Sequence, residues 1–526
     1  MRGARIRPAL VLLAATALAV GGMVTFASGT AAAVEDEGAG CPVSLPGSFP
    51  SSAKLPDPFK RIDGTRITAK SDWRCRRAEI KKLAERSIYG EKPAKPASVT
   101  GTVSATSITV NVSENGRSAA FSAGVELPGG TGPFPAVVVV GGFGADTATI
   151  KAAGAAVITY DPLAVGKEGT PRNNKQGAFY SVYGSSSSTG LLAAWAWGVS
   201  RIIDVVEQSG GGILKPDALG VTGCSRYGKG AFAVGVLDQR VALTMPIESG
   251  TAGVPILRGI PGESGSQPLG NAYGEQPWFG DAFSAYTGNP AALPVDTHEL
   301  VAMVAPRGLF IMENPHIDWL GARSGSVAAL AGAEVYKALG AGGNISYWSD
   351  VQDGTHCASR PEWRTPLQEN IQKFLLKTGS AAGTFRVSAQ KSGNLADWRD
   401  WTTPSLTDGP GTTTPTTPTT PTTPTTPTTP VGGACTAAVS VNQWTGGFVT
   451  TVRVTAGATP ITGWTVTANL PAGAAITSAW NAGRSGDTGA VRFTNVTFNG
   501  ALAPGQSTEF GYQGTGTGTG TTASCA

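Results

Sequence analysis

The 526-residue chain is short of charge and shorter still of histidine. Charged residues make up 14% of it and the net charge is +4, so no basic block marks it for nucleic acid. Only three histidines occur, His298, His316 and His356, which leaves few candidates for an imidazole base. No Cys/His spacing typical of a metal centre is present, and no twin-Arg pair precedes the first apolar run. Beyond the first two dozen residues no apolar run is long enough to span a bilayer. The six cysteines are an even number, which favours pairing over a catalytic thiol.

What is present begins with a leader. Arg2, Arg5 and Arg7 precede an apolar run from Ala9 to Val20, then small residues ending in Ala31-Ala32-Ala33. This reads as a secretory signal peptide over 1–33, so the mature chain is expected to be extracellular, with no membrane attachment and disulfides permitted. From Gly409 to Pro430 the chain turns into Thr-Thr-Pro repeats, which favour extended, polyproline-like conformations and read as a linker. With its flanks this linker is placed at 404–433. It separates a large domain, 34–403, from a tail, 434–526.

Within the large domain, Gly223-Cys224-Ser225-Arg226-Tyr227-Gly228-Lys229 is the most informative stretch. A short apolar segment, Ala218 to Val221, runs into it, and a helical pattern follows. Strand, sharp turn with Ser at its apex, then helix is the nucleophile elbow of α/β-hydrolases. The turn holds the hydroxyl clear of its own backbone, and the helix N-terminus aims amide donors at a carbonyl under attack. The departure is Tyr227, which stands where the usual G-x-S-x-G has its second Gly. Buried-strand runs at Ala136–Val140, Ala155–Tyr160, Ala242–Pro246, Gly308–Met312 and Ile345–Trp348, with a helical pattern over Leu191–Glu207, predict a mostly parallel sheet covered on both faces. The fold class is therefore an α/β-hydrolase three-layer sandwich. The tail, rich in Thr, Val, Gly and Ala with alternating stretches such as Val452–Thr455 and Thr465–Ala468, predicts a separate all-β sandwich.

Ser225 needs a base. His356, in Asp353-Gly354-Thr355-His356-Cys357 after the last apolar strand, occupies the late loop where this fold places its His. His298 falls in a helical segment and reads as structural, and His316 lies in the loop after Gly308–Met312. The acid has two candidates, Glu248 and Asp318, and position in the generic fold favours Asp318. Cys224 precedes Ser225 and Cys357 follows His356, so a bond between them would pin both loops together. Arg226 offers its amide and its guanidinium to an oxyanion. Lys229, one turn after Ser225, projects on the same helix face and suits an oxygen-rich substrate.

The stretch Val221–Ala231, V-T-G-C-S-R-Y-G-K-G-A, resembles the G-C-S-R-x-G-K signature of glucuronoyl esterases, carbohydrate esterase family 15. The likeness continues through Ala194–Arg201, Ile247–Gly250, His298–Leu300, Ala305–Arg307 and Thr355–Cys357, over roughly residues 40–400. The resemblance accounts for Tyr227 and implies a nucleophile at Ser225, a base at His356 and an acid at Glu248, against the generic preference for Asp318. Some bacterial relatives resemble the other arrangement, which leaves Asp318 a supporting role. The resemblance further implies an oxyanion-stabilising Arg226; contacts to a glucuronate ring from Lys229, Gln267, Glu275 and Trp319; and bridges Cys41–Cys75 and Cys224–Cys357. The implied activity is hydrolysis of the ester joining 4-O-methyl-glucuronic acid branches of xylan to lignin alcohols, by a monomer without metal or organic cofactor. An acetyl or feruloyl esterase of hemicellulose is the alternative.

The tail resembles a family 2 carbohydrate-binding module, with Cys435 and Cys525 at its ends, Trp444 before Gly446-Gly447-Phe448, and Gly463-Trp464. The resemblance implies a flat aromatic strip of Trp444, Trp480 and Phe498 for cellulose or a related polysaccharide, with Trp464 in the core.

Overall fold

The computed structural model describes residues 33–408, 434–444, 446–496 and 499–526. They form two compact units, 33–408 and 434–526. Most of the expected leader, the Thr/Pro stretch 409–433 and Phe498 lie outside the described residues. No described helix is long and apolar enough to cross a membrane.

The first unit is built on ten strands: β1 (Ser98–Val103), β2 (Ser107–Glu114), β3 (Arg117–Glu126), β4 (Phe134–Val140), β5 (Ala156–Tyr160), β6 (Leu214–Cys224), β7 (Val241–Ile247), β8 (Gly308–Met312), β9 (Ile345–Trp348) and β10 (Phe385–Arg386). Their order is β1-β2-β3-β5-β4-β6-β7-β8-β9-β10. β1, β2, β3 and β5 pair antiparallel in turn. From β5 onward every pair is parallel. This is the α/β-hydrolase sheet. Two hydrophobic clusters, one on each face, enclose it: Val138, Val221 and Leu309 point to one, Val139, Met245 and Phe310 to the other. Burial on both faces is why the central strands are continuous Val/Ile/Leu runs rather than alternating ones. The helix Leu191–Gln208 covers one face, with Trp195 and Trp197 fully buried.

The antiparallel strands β1–β3 were not among the expected elements. β2 and β3 alternate buried and exposed residues, since one of their faces meets solvent. The unit also runs further than 403. Thr407 pairs with Ala69, its amide donates to Thr68 O at 2.9 Å, and Lys70 meets Asp408 at 2.6 Å. The stretch 404–408 therefore belongs to the body and not to the linker, because its backbone groups are satisfied by the N-terminal segment.

The second unit has strands β11 (Cys435–Trp444), β12 (Gly447–Ala456), β13 (Thr465–Asn469), β14 (Ala475–Trp480), β15 (Ala482–Ser485), β16 (Ala490–Asn495), β17 (Ser507–Thr515) and β18 (Thr522–Cys525). They form two four-stranded sheets, β11-β12-β17-β14 and β15-β16-β13-β18. Trp464 is buried between them, stacked on Phe510 at 5.2 Å, with Nε1 donating to Asn499 O at 2.8 Å. Cys435–Cys525 joins β11 of one sheet to β18 of the other.

Candidate active site

β6 delivers Ser225 at its C-terminal end, and the helix Arg226–Leu237 starts on the next residue. Ser225 has φ 59° and ψ −126°, a backbone region unfavourable for a residue with a side chain. Glu248, directly after β7, has φ 44°, and Cys357 has φ 59°. Three strained non-glycine residues meeting at one place is a mark of a functional site, since each costs on the order of 1–3 kcal/mol that packing must offset.

The geometry explains Tyr227. In this elbow the close approach to the next strand falls on Gly228, where a Cβ would come within 2.4 Å of Ile247 O. Position 227 is free to carry a ring because Gly141, at φ 73° after β4, gives up the space; a Cβ there would lie 2.3 Å from the Tyr227 ring.

His356 and Glu248 form the second half of the site. His356 Nδ1 lies 2.7 Å from Glu248 Oε2, and the Cys357 amide donates to the same oxygen at 2.7 Å. Asn314 Nδ2 donates to Oε1 at 3.2 Å, and Arg360 reaches it at 3.5 Å. Glu248 is fully buried, so its charge is held by this ring of donors. A carboxylate only accepts, so His356 Nδ1 carries the proton in this pair and Nε2 is left for chemistry. The other imidazoles are spoken for. His316 Nε2 meets Val351 O at 2.8 Å. His298 Nε2 meets Pro56 O at 2.9 Å, and burial pushes its pKa down to about 4. Asp318 does not reach His356; it pairs with Lys391 at 2.9 Å on the surface. That removes it as the acid in this structure, despite its favourable place along the chain.

A disulfide joins Cys224 to Cys357, with Cα atoms 5.8 Å apart, so the residues after one and before the other are held side by side. The other pairs are Cys41–Cys75 and Cys435–Cys525. Cys224, Glu248 and Cys357 place potential ligand atoms within 4.8 Å of one another. With both sulfurs bonded to each other they offer no thiolate, and the trio does not fit a metal.

Ser225, Arg226, Lys229, Gln267, Glu275, Trp319 and His356 all line one cleft of about 490 Å³. Among the described residues no hydrogen bond joins Ser225 Oγ to His356; such contacts are often loose until substrate binds. Gln267 Nε2 donates to Glu275 Oε2 at 2.6 Å. The Trp319 ring is 54% exposed and stands edge-on to His356 at 6.0 Å. Lys229 is buried, donates to Ser249 O at 2.6 Å and lies 5.1 Å from the Trp278 ring. Burial lowers its pKa to about 8, against the opposing pull of Glu275 and Glu313.

Glu168, Asn314, Glu313 and Arg360, which reaches Glu248 at 3.5 Å, escaped the reading of the sequence. Glu168 accepts from Arg226 Nη1 at 2.9 Å and from Trp278 Nε1 at 2.6 Å, which fixes the guanidinium beside the cleft. Asn314 supports Glu248. Glu313, buried at the end of β8, has no hydrogen-bond partner on either carboxyl oxygen among the described residues, and burial beside Glu248 raises its pKa to about 8. Each sits on a connection with no motif of its own. The only signal was position at a strand's C-terminal end, where such sheets carry their chemistry.

Comparison with known proteins settles the family. The chain is 39% identical over 373 residues to a 4-O-methyl-glucuronoyl methylesterase of Neurospora crassa, covering 69% of this chain and 93% of that one. It belongs to the glucuronoyl esterase family. A Hypocrea jecorina relative of the same name is 37% identical over 372 residues, covering 69% and 79%. The fungal glucuronyl esterase profile matches residues 110–340, and a cellulose binding domain profile matches 434–526. The catalytic domain of a Hypocrea jecorina glucuronoyl esterase superposes with TM-score 0.65 at 36% identity, covering 69% of this chain and all of that one. A Ser-to-Ala mutant of the Sporotrichum thermophile glucuronoyl esterase, solved with methyl 4-O-methyl-β-D-glucopyranuronate, superposes with TM-score 0.66 at 38% identity, covering 70% and 99%. This glucuronoyl esterase is a carboxylic ester hydrolase with a cellulose-binding module at its C-terminus.

Proposed function

We propose that this glucuronoyl esterase is secreted and hydrolyses esters between 4-O-methyl-D-glucuronic acid branches of xylan and lignin alcohols, through a covalent acyl-enzyme on Ser225. The observation that carries the reading is the meeting, in one cleft, of a strained Ser225, an imidazole oriented by a buried Glu248, and four residues suited to a sugar acid.

His356 Nε2 takes the Ser225 Oγ proton as Oγ attacks the uronate carbonyl carbon. Negative charge gathers on the carbonyl oxygen. The Arg226 amide, free at a helix N-terminus, and the guanidinium steadied by Glu168 stabilise it. The C–O bond to the alcohol breaks, and the alcohol leaves with the proton from Nε2. Water then attacks the acyl-enzyme, giving its proton to Nε2, and Oγ recovers it as the uronic acid departs. Glu248 holds the imidazolium through both steps without taking the proton. Lys229, Gln267 and Glu275 supply hydrogen bonds to ring hydroxyls, and the exposed Trp319 ring supplies an apolar wall. Domain limits of 34–408 for the esterase and 434–526 for the module complete the picture, with the module holding the enzyme near insoluble polysaccharide.

The test is a panel of methyl and benzyl glucuronate, galacturonate, acetyl-xylan and feruloyl esters. A preference for glucuronate esters of at least tenfold is expected, about 1.4 kcal/mol of discrimination. Equal turnover of acetyl or feruloyl esters would move the assignment to those substrates.

A further inference from the structure

Trp278 lies beneath the catalytic cleft, 2% exposed, and belongs to no motif of the chain. Two cations of the cleft converge on its indole. Lys229 Nζ stands 5.1 Å from the ring centroid and Arg226 Cζ 5.8 Å. At the ring edge, Nε1 donates to Glu168 Oε1 at 2.6 Å, and the other Glu168 oxygen accepts from Arg226 Nη1 at 2.9 Å. One side chain thus meets Lys229 through its face, and Arg226 both through its face and through Glu168.

Lys229 has little else to hold it. Its ammonium is out of water, and among the described residues it makes one hydrogen bond, to Ser249 O at 2.6 Å, and no ion pair. Glu275 and Glu313 act on it only from further off. A desolvated cation with one acceptor is costly unless something else meets its charge. The negative face of an indole does so, and its pull is strongest away from water.

The ring is fixed from behind. The carbonyls of Pro277 and Trp278 accept the first amides of the helix Leu191–Gln208, from Leu191 at 2.8 Å and Leu192 at 3.2 Å. Gly190 permits that contact, since a Cβ there would come within 2.2 Å of Trp278 O. Arg172, in the segment after β5, donates to Tyr273 O at 2.6 Å and to Phe279 O at 2.8 Å, with its guanidinium 3.6 Å over the Tyr273 ring. The Gly169 amide donates to Gln276 Oε1 at 2.6 Å. A segment tied on both sides of residue 278 gives the indole one position. Buried as it is, that indole offers substrate almost no surface, unlike Trp319, so its effect passes through the two cations.

We infer that Trp278 is a positioning residue for the hydrolysis: its face holds the Lys229 ammonium where a sugar acid meets it, and its Nε1, through Glu168, sets the Arg226 guanidinium beside the carbonyl under attack. This rests on the roles proposed for Lys229 and Arg226, and the test separates the two.

Two double-mutant cycles provide the test, read by steady-state kinetics of the full-length enzyme on the methyl ester of 4-O-methyl-glucuronic acid at about pH 6, where Lys229 is charged. The first pairs Trp278→Leu, which removes the π face, with Lys229→Met. Trp278→Leu alone should raise KM about threefold to tenfold; in the Lys229→Met background it should raise KM no further. The second pairs Trp278→Phe, which keeps a π face and most of the volume but loses the Nε1 donor, with Glu168→Ala. Trp278→Phe alone should lower kcat about threefold to tenfold; in the Glu168→Ala background it should lower kcat no further. A merely structural role would cost the same in either background, so equal factors with and without the partner would overturn the inference, as would single variants that match wild type. If Trp278→Leu does not fold, the second cycle decides alone. Lys229→Met with an unchanged KM would instead overturn the sugar-acid role of Lys229, and the second cycle would still judge Trp278.

Discussion

His356 Nδ1 and Cys357 N converge on one oxygen of Glu248, each at 2.7 Å. One buried carboxylate thus orients the ring and fixes the strained backbone that follows it. Replacing Glu248 by Gln keeps the shape but removes the charge and puts an NH2 donor in place of one of the two acceptor oxygens that the surrounding donors share. The expected loss in kcat is about 10³–10⁴-fold, with KM little changed. Asp318→Asn, which breaks only an exposed ion pair, is expected to stay within about threefold. Steady-state kinetics on a methyl glucuronate ester reads both. Comparable losses in the two variants would contradict the assignment of the acid.

Cys224 and Cys357 tie loops 133 residues apart in sequence. Changing both to Ala should cost about 2–5 kcal/mol of stability. It should also lower kcat more than it raises KM, because Ser225 and His356 lose their common anchor. Melting curves and kinetics at a temperature where the variant is folded separate the two effects.

Lys229 carries its charge below about pH 8 and loses it above, since burial lowers its pKa. If it binds the sugar, KM should rise as pH climbs through 8 while kcat holds. In Lys229→Met, KM should already be about tenfold higher at pH 7, roughly one charged hydrogen bond, and should not change further with pH. A KM–pH profile of both proteins checks this.

Glu313 is held protonated by burial, its pKa raised from 4.5 to about 8. A group whose folded pKa is raised contributes stability that is complete below its unfolded pKa and is lost as pH rises through the folded one. Between about pH 4.5 and 8 the wild type should therefore lose up to about 1.4 kcal/mol per pH unit relative to Glu313→Gln. Chemical denaturation at pH 5 and pH 8 gives the comparison, and parallel changes in the two proteins would contradict it.

The parts of the site that carry a local motif were legible in the sequence, and those that depend on neighbours across the sheet were not. Ser225 announces itself because strand, turn and helix follow within a few residues. His356 follows from its place after the last apolar strand, β9. The acid did not follow. Generic topology pointed to the segment after β8, where Asp318 lies, and only the family resemblance moved the choice to Glu248. Register explains the near miss: Ile247 pairs with Met312, so Glu248 and Glu313 emerge side by side at the ends of β7 and β8. Glu168 and Arg360 were invisible because each acts by meeting a partner remote in the chain. The core strands were read to within a few residues, since burial on both faces writes itself as unbroken Val and Ile. β1–β3 were missed because alternation over a polar face is a weaker signal.

The most direct measurement of the central claim is the fate of Ser225 during turnover. A fluorophosphonate should label the wild type on the peptide containing Ser225, and Ser225→Ala should remain unlabelled and lose at least about 10⁴-fold in kcat on methyl 4-O-methyl-glucuronate. Full labelling elsewhere, or turnover retained by Ser225→Ala, would contradict the account.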